Sequence, residues 1–183
     1  MKDAGVDCSI ILPVLTKPEQ FKKVNEFAVK LNEKYDGIKN VKLISFGGIH
    51  PDSSDYKYEL REIVHMGLKR IKLHPDYQDT MLAEVAPEKL VLAHFGGYKC
   101  WNDVEEYLVG QKVYFDTAFI YNMIAKEQFL RIIKNHGDGK VLFATDSPWS
   151  GQKEAIKWLD NLQLSSETLS KILYKNALEL LKI

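Results

Sequence analysis

Six short apolar runs, each followed by a helical stretch, constrain this chain more than any other feature. They cover 8–12, 41–46, 71–73, 90–93, 113–115 and 141–144. Strand followed by helix, repeated, implies parallel strands joined by right-handed helical crossovers. The runs read as apolar more than as alternating, as expected of strands covered on both faces. Helices are predicted over 17–35, with Phe21, Val24, Ala28 and Leu31 at helical spacing, and over 55–66, with Leu60, Ile63 and Val64 on one side. Further helices are predicted over 101–108, 126–134 (Phe129, Leu130, Ile133) and 153–159. A last helix, capped by Ser165, carries Leu169, Ile172, Leu173, Ala177, Leu180 and Leu181. The rhythm breaks once, between His74 and Leu90, where at most a short helix over 81–85 fits. The expected class is therefore α/β, with about six parallel strands.

At 183 residues the chain is expected to form a single domain over 1–183. Its 25 basic and 25 acidic residues balance, which argues against nucleic-acid or membrane partners. No stretch approaches the ~20 apolar residues of a membrane span. The amino terminus does not read as a signal peptide, because Asp3 and Asp7 precede a short apolar run that stops at Pro13. A cytoplasmic location is the expectation. The two cysteines, Cys8 and Cys100, have no metal-ligand spacing, and Cys8 is expected to be buried.

Five runs end in a polar residue at or next to a turn: His50, His74, His94, Asp116 and Asp146. In a parallel array those ends lie on one side, so three imidazoles and two carboxylates would converge on one mouth. Imidazole nitrogen and carboxylate oxygen are the ligand set of a divalent metal such as zinc. Each residue also has a plainer reading. Asp146 is either a helix N-cap or turn aspartate, with Pro148 near the first helical position, or a metal-binding or proton-transferring carboxylate. Asp116 either faces a ligand or orients a neighbour. His50 either shapes its Gly-Gly-Ile-His-Pro turn or serves the site. Lys72 shares a strand face with His74 and points either to the mouth or to solvent. Trp149 either lines a pocket or packs under its loop. Gly96 and Gly97 would let the chain turn tightly after His94. His65 and His136, within or after helices, are expected to face solvent.

The motifs Gly47-Gly48-Ile49-His50-Pro51, Ile71-Lys72-Leu73-His74-Pro75 and Leu90-Val91-Leu92-Ala93-His94-Phe95-Gly96-Gly97 occur in this order. Val113-Tyr114-Phe115-Asp116-Thr117, Leu142-Phe143-Ala144-Thr145-Asp146-Ser147-Pro148-Trp149 and Ile172-Leu173-Tyr174-Lys175-Asn176-Ala177-Leu178 follow. Together with Ala4-Gly5-Val6-Asp7, this set resembles the amidohydrolase-related (amidohydrolase 2-like) metal-dependent hydrolases. The resemblance implies a (β/α)8 TIM barrel, a divalent metal (zinc foremost, manganese as the alternative) and hydrolysis of an amide or ester by metal-activated water. It also implies a second reading, a decarboxylase of the same fold; a non-catalytic degenerate barrel or a fragment is the third. By the resemblance, His94 matches a metal-ligating or catalytic histidine and Asp146 the aspartate that touches metal and accepts a proton. Lys72 falls where some members carry a carboxylated lysine. Lys72, His74, His50, Asp116 and Trp149 are then the substrate-binding candidates. Two parts of the family pattern are not found: a first strand with His-x-His, and a fifth strand, whose place would be 79–81. The barrel is thus expected to be incomplete, with open strand edges that favour a homo-oligomer.

Overall fold

The computed structural model describes residues 1–39, 41–74 and 89–182. The helix expected over 81–85 and the place of the fifth strand lie outside these residues. The chain divides into two compact units, Met1–Val85 and Ala86–Ile183.

The first unit begins with strand β1 (Cys8–Ile11), which pairs in parallel with β2 (Lys42–Ser45), Cys8 opposite Lys42 and Ile11 opposite Ser45. Helix α1 (Phe21–Tyr35) connects them. The chain then changes partners. Gly47 and Gly48, expected to close the second strand, form a short strand of their own, β3, parallel to β4 (Ile71–Lys72). Packing explains why glycine stands there. A Cβ on Gly47 would lie 2.8 Å from Ile63 Cγ2, and one on Gly48 would overlap Leu15 Cδ1.

A polar pair on α1 bridges the switch. The Asn25 side chain accepts the Gly48 N–H at 2.9 Å and donates to the Gly48 carbonyl at 2.9 Å. Two turns along, Asn32 accepts the Ser45 N–H at 2.6 Å and donates to the Ser45 carbonyl at 3.3 Å. Each amide thus satisfies both backbone groups of one strand residue, as a neighbouring strand would. Asn25 is fully buried beside Ala28, so a polar residue sits in the middle of the inward face predicted from its apolar neighbours.

Helix α2 (Tyr56–His65) starts at Asp55, whose carboxylate accepts the Tyr58 N–H at 3.0 Å. Its inward residue is Ile63, which joins Ala28, Ile49 and Leu68 in the core. Val64, predicted to face inward, is 71% exposed, because it lies about 100° around the helix from Ile63. Cys8, predicted to be buried, is exposed. It sits at the start of β1, whose partner among the described residues is β2 alone.

The second unit is built on a three-stranded parallel sheet in the order β5 (Val91–Leu92), β6 (Tyr114–Asp116), β7 (Val141–Leu142). Helix α3 (Trp101–Asp103) runs into a π-helical turn (Val104–Leu108). Helices α4 (Lys126–His136) and α5 (Gln152–Asp160) follow. The predicted last helix is continuous but carries a π turn (Lys171–Lys175) between α6 (Ser166–Ser170) and α7 (Asn176–Leu181). Ser165 caps it, accepting the Thr168 N–H at 3.1 Å. The core gathers Phe95, Phe115, Phe129, Ile132, Val141, Leu159 and Ile172. Among the described residues no helix is long and apolar enough to cross a membrane.

Candidate functional site

The carboxyl ends of β5, β6 and β7 carry His94, Asp116 and Asp146, and parallel pairing puts those ends on one edge of the sheet. His94 opens a tight turn in which His94, Phe95 and Gly96 have φ of 56°, 59° and 90°. Left-handed backbone at two non-glycine residues costs roughly 1–2 kcal/mol each, so the surroundings must hold it. Phe95 contributes an anchor: it is fully buried, stacked 4.8 Å from Phe129 and 5.6 Å from Phe115. Burying such a ring is worth about 1.5–3 kcal/mol, enough to offset much of the strain. Gly96 is required twice over. Its φ is positive, and a Cβ would stand 3.0 Å from Phe115 Cε1 and 3.1 Å from Val104 Cγ1. Its tight turn is packed directly against the core. Gly97, at φ 174°, is extended and needs no glycine for its conformation.

Hydrogen bonds at both its backbone and its ring fix His94 itself. Its N–H donates to Asp116 Oδ1 at 3.0 Å, and its carbonyl accepts the Trp101 Nε1–H at 3.1 Å. Its ring Nδ1 lies 3.0 Å from the Ala118 carbonyl. A carbonyl only accepts, so Nδ1 carries the proton and the neutral ring keeps its lone pair on Nε2. That is the tautomer able to bind a metal or accept a proton through Nε2. Tyr98 stands edge-on to the ring at 5.9 Å, with Phe119 6.0 Å beyond it.

Asp116 is buried, and its Oδ1 accepts both the His94 N–H and the Ala118 N–H, each at 3.0 Å. Of its two sequence readings, the orienting one matches these contacts. Thr117 ties the ends of β6 and β7 together: its hydroxyl donates to the Ala144 carbonyl and accepts the Ala144 N–H, both at 2.9 Å. Two residues on, Asp146 is exposed, with φ 61°. Its carbonyl accepts the Trp149 N–H at 2.9 Å across the cis Ser147–Pro148 bond. It is therefore a turn residue by its backbone and not a helix cap, since α5 starts only after Gly151. Among the described residues its carboxylate has no hydrogen-bond partner. Trp149, 78% exposed, does not pack under its loop.

The remaining candidates belong to the first unit. His50 is buried, and its Nδ1 accepts the Asp52 N–H at 3.2 Å, which matches the turn-shaping reading. Lys72 ends β4, and His74 follows two residues later; both are half-buried.

One histidine departs from expectation. His136, predicted to face solvent, is 5% exposed. Its ring stacks on Phe115 at 4.1 Å, its Nδ1 accepts the Gly110 N–H at 3.1 Å and its Nε2 donates to the Val113 carbonyl at 3.0 Å. Burial holds its imidazole below the usual range, the Val113 bond opposing the shift and Lys140 adding to it. The signal was present in the sequence: His136 lies three and four residues past Ile133 and Ile132, on the apolar side of α4.

As a metal site the donor chemistry fits, with an imidazole Nε2 fixed by its tautomer and an open carboxylate. The number of donors does not. Among the described residues no three His, Cys, Asp or Glu side chains come together. The described residues offer two donors of the right kind and no complete metal centre.

The family model described as Amidohydrolase matches residues 63–183, about two thirds of the chain and all three strand ends described here. The chain belongs to the amidohydrolase family. Solved structures agree on the fold. A TIM-barrel protein from Bordetella bronchiseptica aligns with TM-score 0.72 and 15% identity, over 100% of this chain and 80% of that one. A 2,6-dihydroxybenzoate decarboxylase from Rhizobium aligns with TM-score 0.61 and 14% identity, over 100% and 86%. A manganese-bound 5-carboxyvanillate decarboxylase from Novosphingobium aromaticivorans aligns with TM-score 0.64 and 12% identity, over 98% and 77%. No curated protein sequence matches the chain. The amidohydrolase fold here is an incomplete α/β barrel: parallel strands with helical crossovers, among whose described residues no closed barrel forms.

Proposed function

We propose that this amidohydrolase-family chain performs acid–base chemistry at the carbonyl carbon of a small-molecule amide or ester. The observation behind this reading is the pairing, along one sheet edge, of a histidine with its lone pair fixed on Nε2 and a carboxylate open to solvent. In hydrolysis the Asp146 carboxylate takes a proton from water as the water oxygen bonds to the carbonyl carbon. It returns that proton to the leaving nitrogen or oxygen as the C–N or C–O bond breaks. The reading includes a divalent cofactor, zinc foremost with manganese the alternative, to which His94 Nε2 and the Asp146 carboxylate are the donors this unit offers. Trp149 is proposed to line the substrate side.

A second reading, decarboxylation, is favoured by the decarboxylases among the structural neighbours, one of them holding manganese. The test is turnover of a panel of esters, amides and aromatic acids by the chain supplied with zinc or manganese, with product analysis. Ester or amide cleavage supports hydrolysis, and carbon dioxide release supports the second reading. General acid–base groups contribute roughly 10²–10⁴-fold. His94→Asn and Asp146→Asn should each lower the rate by that order; a rate unchanged in both would overturn the assignment.

A further inference from the structure

We infer that Asp116 is a positioning residue that sets the tautomer of His94, and not a substrate ligand. The inference rests on the proposed role of His94 as the proton- or metal-accepting imidazole. One carboxylate oxygen, Asp116 Oδ1, holds both halves of the clamp around that ring. It accepts the His94 N–H at 3.0 Å, fixing the backbone from which the ring projects. It accepts the Ala118 N–H at 3.0 Å, fixing the residue whose carbonyl receives the ring's Nδ1–H at 3.0 Å. The bonds close a cycle: Asp116 to His94 backbone, His94 ring to Ala118 carbonyl, Ala118 N–H back to Asp116.

Charge and geometry both favour a carboxylate at this position. Two N–H donors converging on one oxygen suit an anion, which accepts more strongly than a neutral group. The backbone it holds is unfavourable in isolation, since His94 sits at φ 56°. Without Oδ1, the left-handed turn and the Ala118 carbonyl lose a shared anchor. The ring is then free to distribute its proton between Nδ1 and Nε2, and a proton on Nε2 blocks the face a metal or substrate proton would use. Asp116 itself is buried, and its Oδ1 is committed to the two backbone donors.

The test reads the tautomer by long-range ¹H–¹⁵N correlation of the histidine rings in the metal-free full chain, with His94→Gln to assign the signals. Wild type should show His94 as the Nδ1–H tautomer. Asp116→Ala should lose most of that signal to a tautomer mixture, and Asp116→Asn, which keeps an acceptor oxygen, should restore it. His136 is an internal control for folding, because its contacts fix the opposite tautomer, Nε2–H. Its pattern should be unchanged in every variant that folds. Should Asp116→Ala not fold, Asp116→Glu, which keeps the charge and moves the oxygen by one methylene, is expected to show the same loss. A His94 signal that stays wholly Nδ1–H in a folded Asp116→Ala or Asp116→Glu chain would overturn the inference. The readout needs no turnover, so failure of the proposed reaction would leave the tautomer result standing.

Discussion

Replacing His136 with leucine should destabilise the chain in a way that acid makes visible. The ring nitrogens serve two backbone groups: Gly110 N–H at 3.1 Å and Val113 C=O at 3.0 Å. Leucine preserves bulk against Phe115 but leaves both groups without their partner. An abandoned buried polar group costs about 1–3 kcal/mol, and Gly110, being exposed, can recover a water, so the pair together should cost about 2–3 kcal/mol. Losing the ring stack adds about 0.5–1 kcal/mol, partly offset by leucine packing. For a chain of this length that is a fall in Tm of roughly 5–10 °C. The pH dependence follows from the direction of the shift. Burial holds the folded imidazole below its ordinary value of about 6.5. The unfolded chain therefore takes up its proton first. This contribution is fully present above about pH 6.5 and is lost as pH falls through the folded value, where the buried ring itself protonates and surrenders the Gly110 bond. Urea unfolding of wild type and His136→Leu at pH 7.5, 6.5 and 5.5 reads both effects, and the gap between them should narrow towards pH 5.5. A gap under about 0.5 kcal/mol at pH 7.5, or one that widens on acidification, would refute the reasoning.

Asn25→Ala removes the partner of both Gly48 backbone groups and should cost about 2–4 kcal/mol in chemical denaturation, with hydrogen exchange accelerating at Gly48. Gly48→Ala should cost about 1–3 kcal/mol, because the new methyl overlaps the fully buried Leu15 side chain, which must move aside. Asn176→Ala frees the Asp138 and Val141 carbonyls that its amide reaches at 2.7 Å each, and should cost about 2–3 kcal/mol by the same assay.

The alternation of apolar runs and helical stretches was enough to place every described strand but β3 and to make their pairing parallel, because both follow from local pattern and handedness. What escaped was polar. Asn25, Asn32 and Asn176 look like surface residues in a hydrophobic count, yet each completes backbone bonding where a strand changes partner or a helix meets a strand. Their role depends on where distant carbonyls and N–H groups end up, and no periodicity carries that information. The Asn176 string belonged to the family resemblance, but its contact with the entry to β7 becomes visible only through the π turn that swings it inward. At the site, the residue types at the strand ends were legible and their division of labour was not. That Asp116 binds backbone while Asp146 stays open to solvent is settled by register and burial, which place one carboxylate inside the sheet edge and the other beyond it.

We propose His94 Nε2 and the Asp146 carboxylate as the reactive donors of this chain. Electron paramagnetic resonance of manganese titrated into the purified full chain tests it most directly, because free and bound ion are distinguished without knowing the substrate. Wild type should show a bound fraction that falls at least tenfold in both His94→Gln and Asp146→Asn, about 1.4 kcal/mol or more of lost affinity. Manganese bound equally well by wild type and both variants would contradict it.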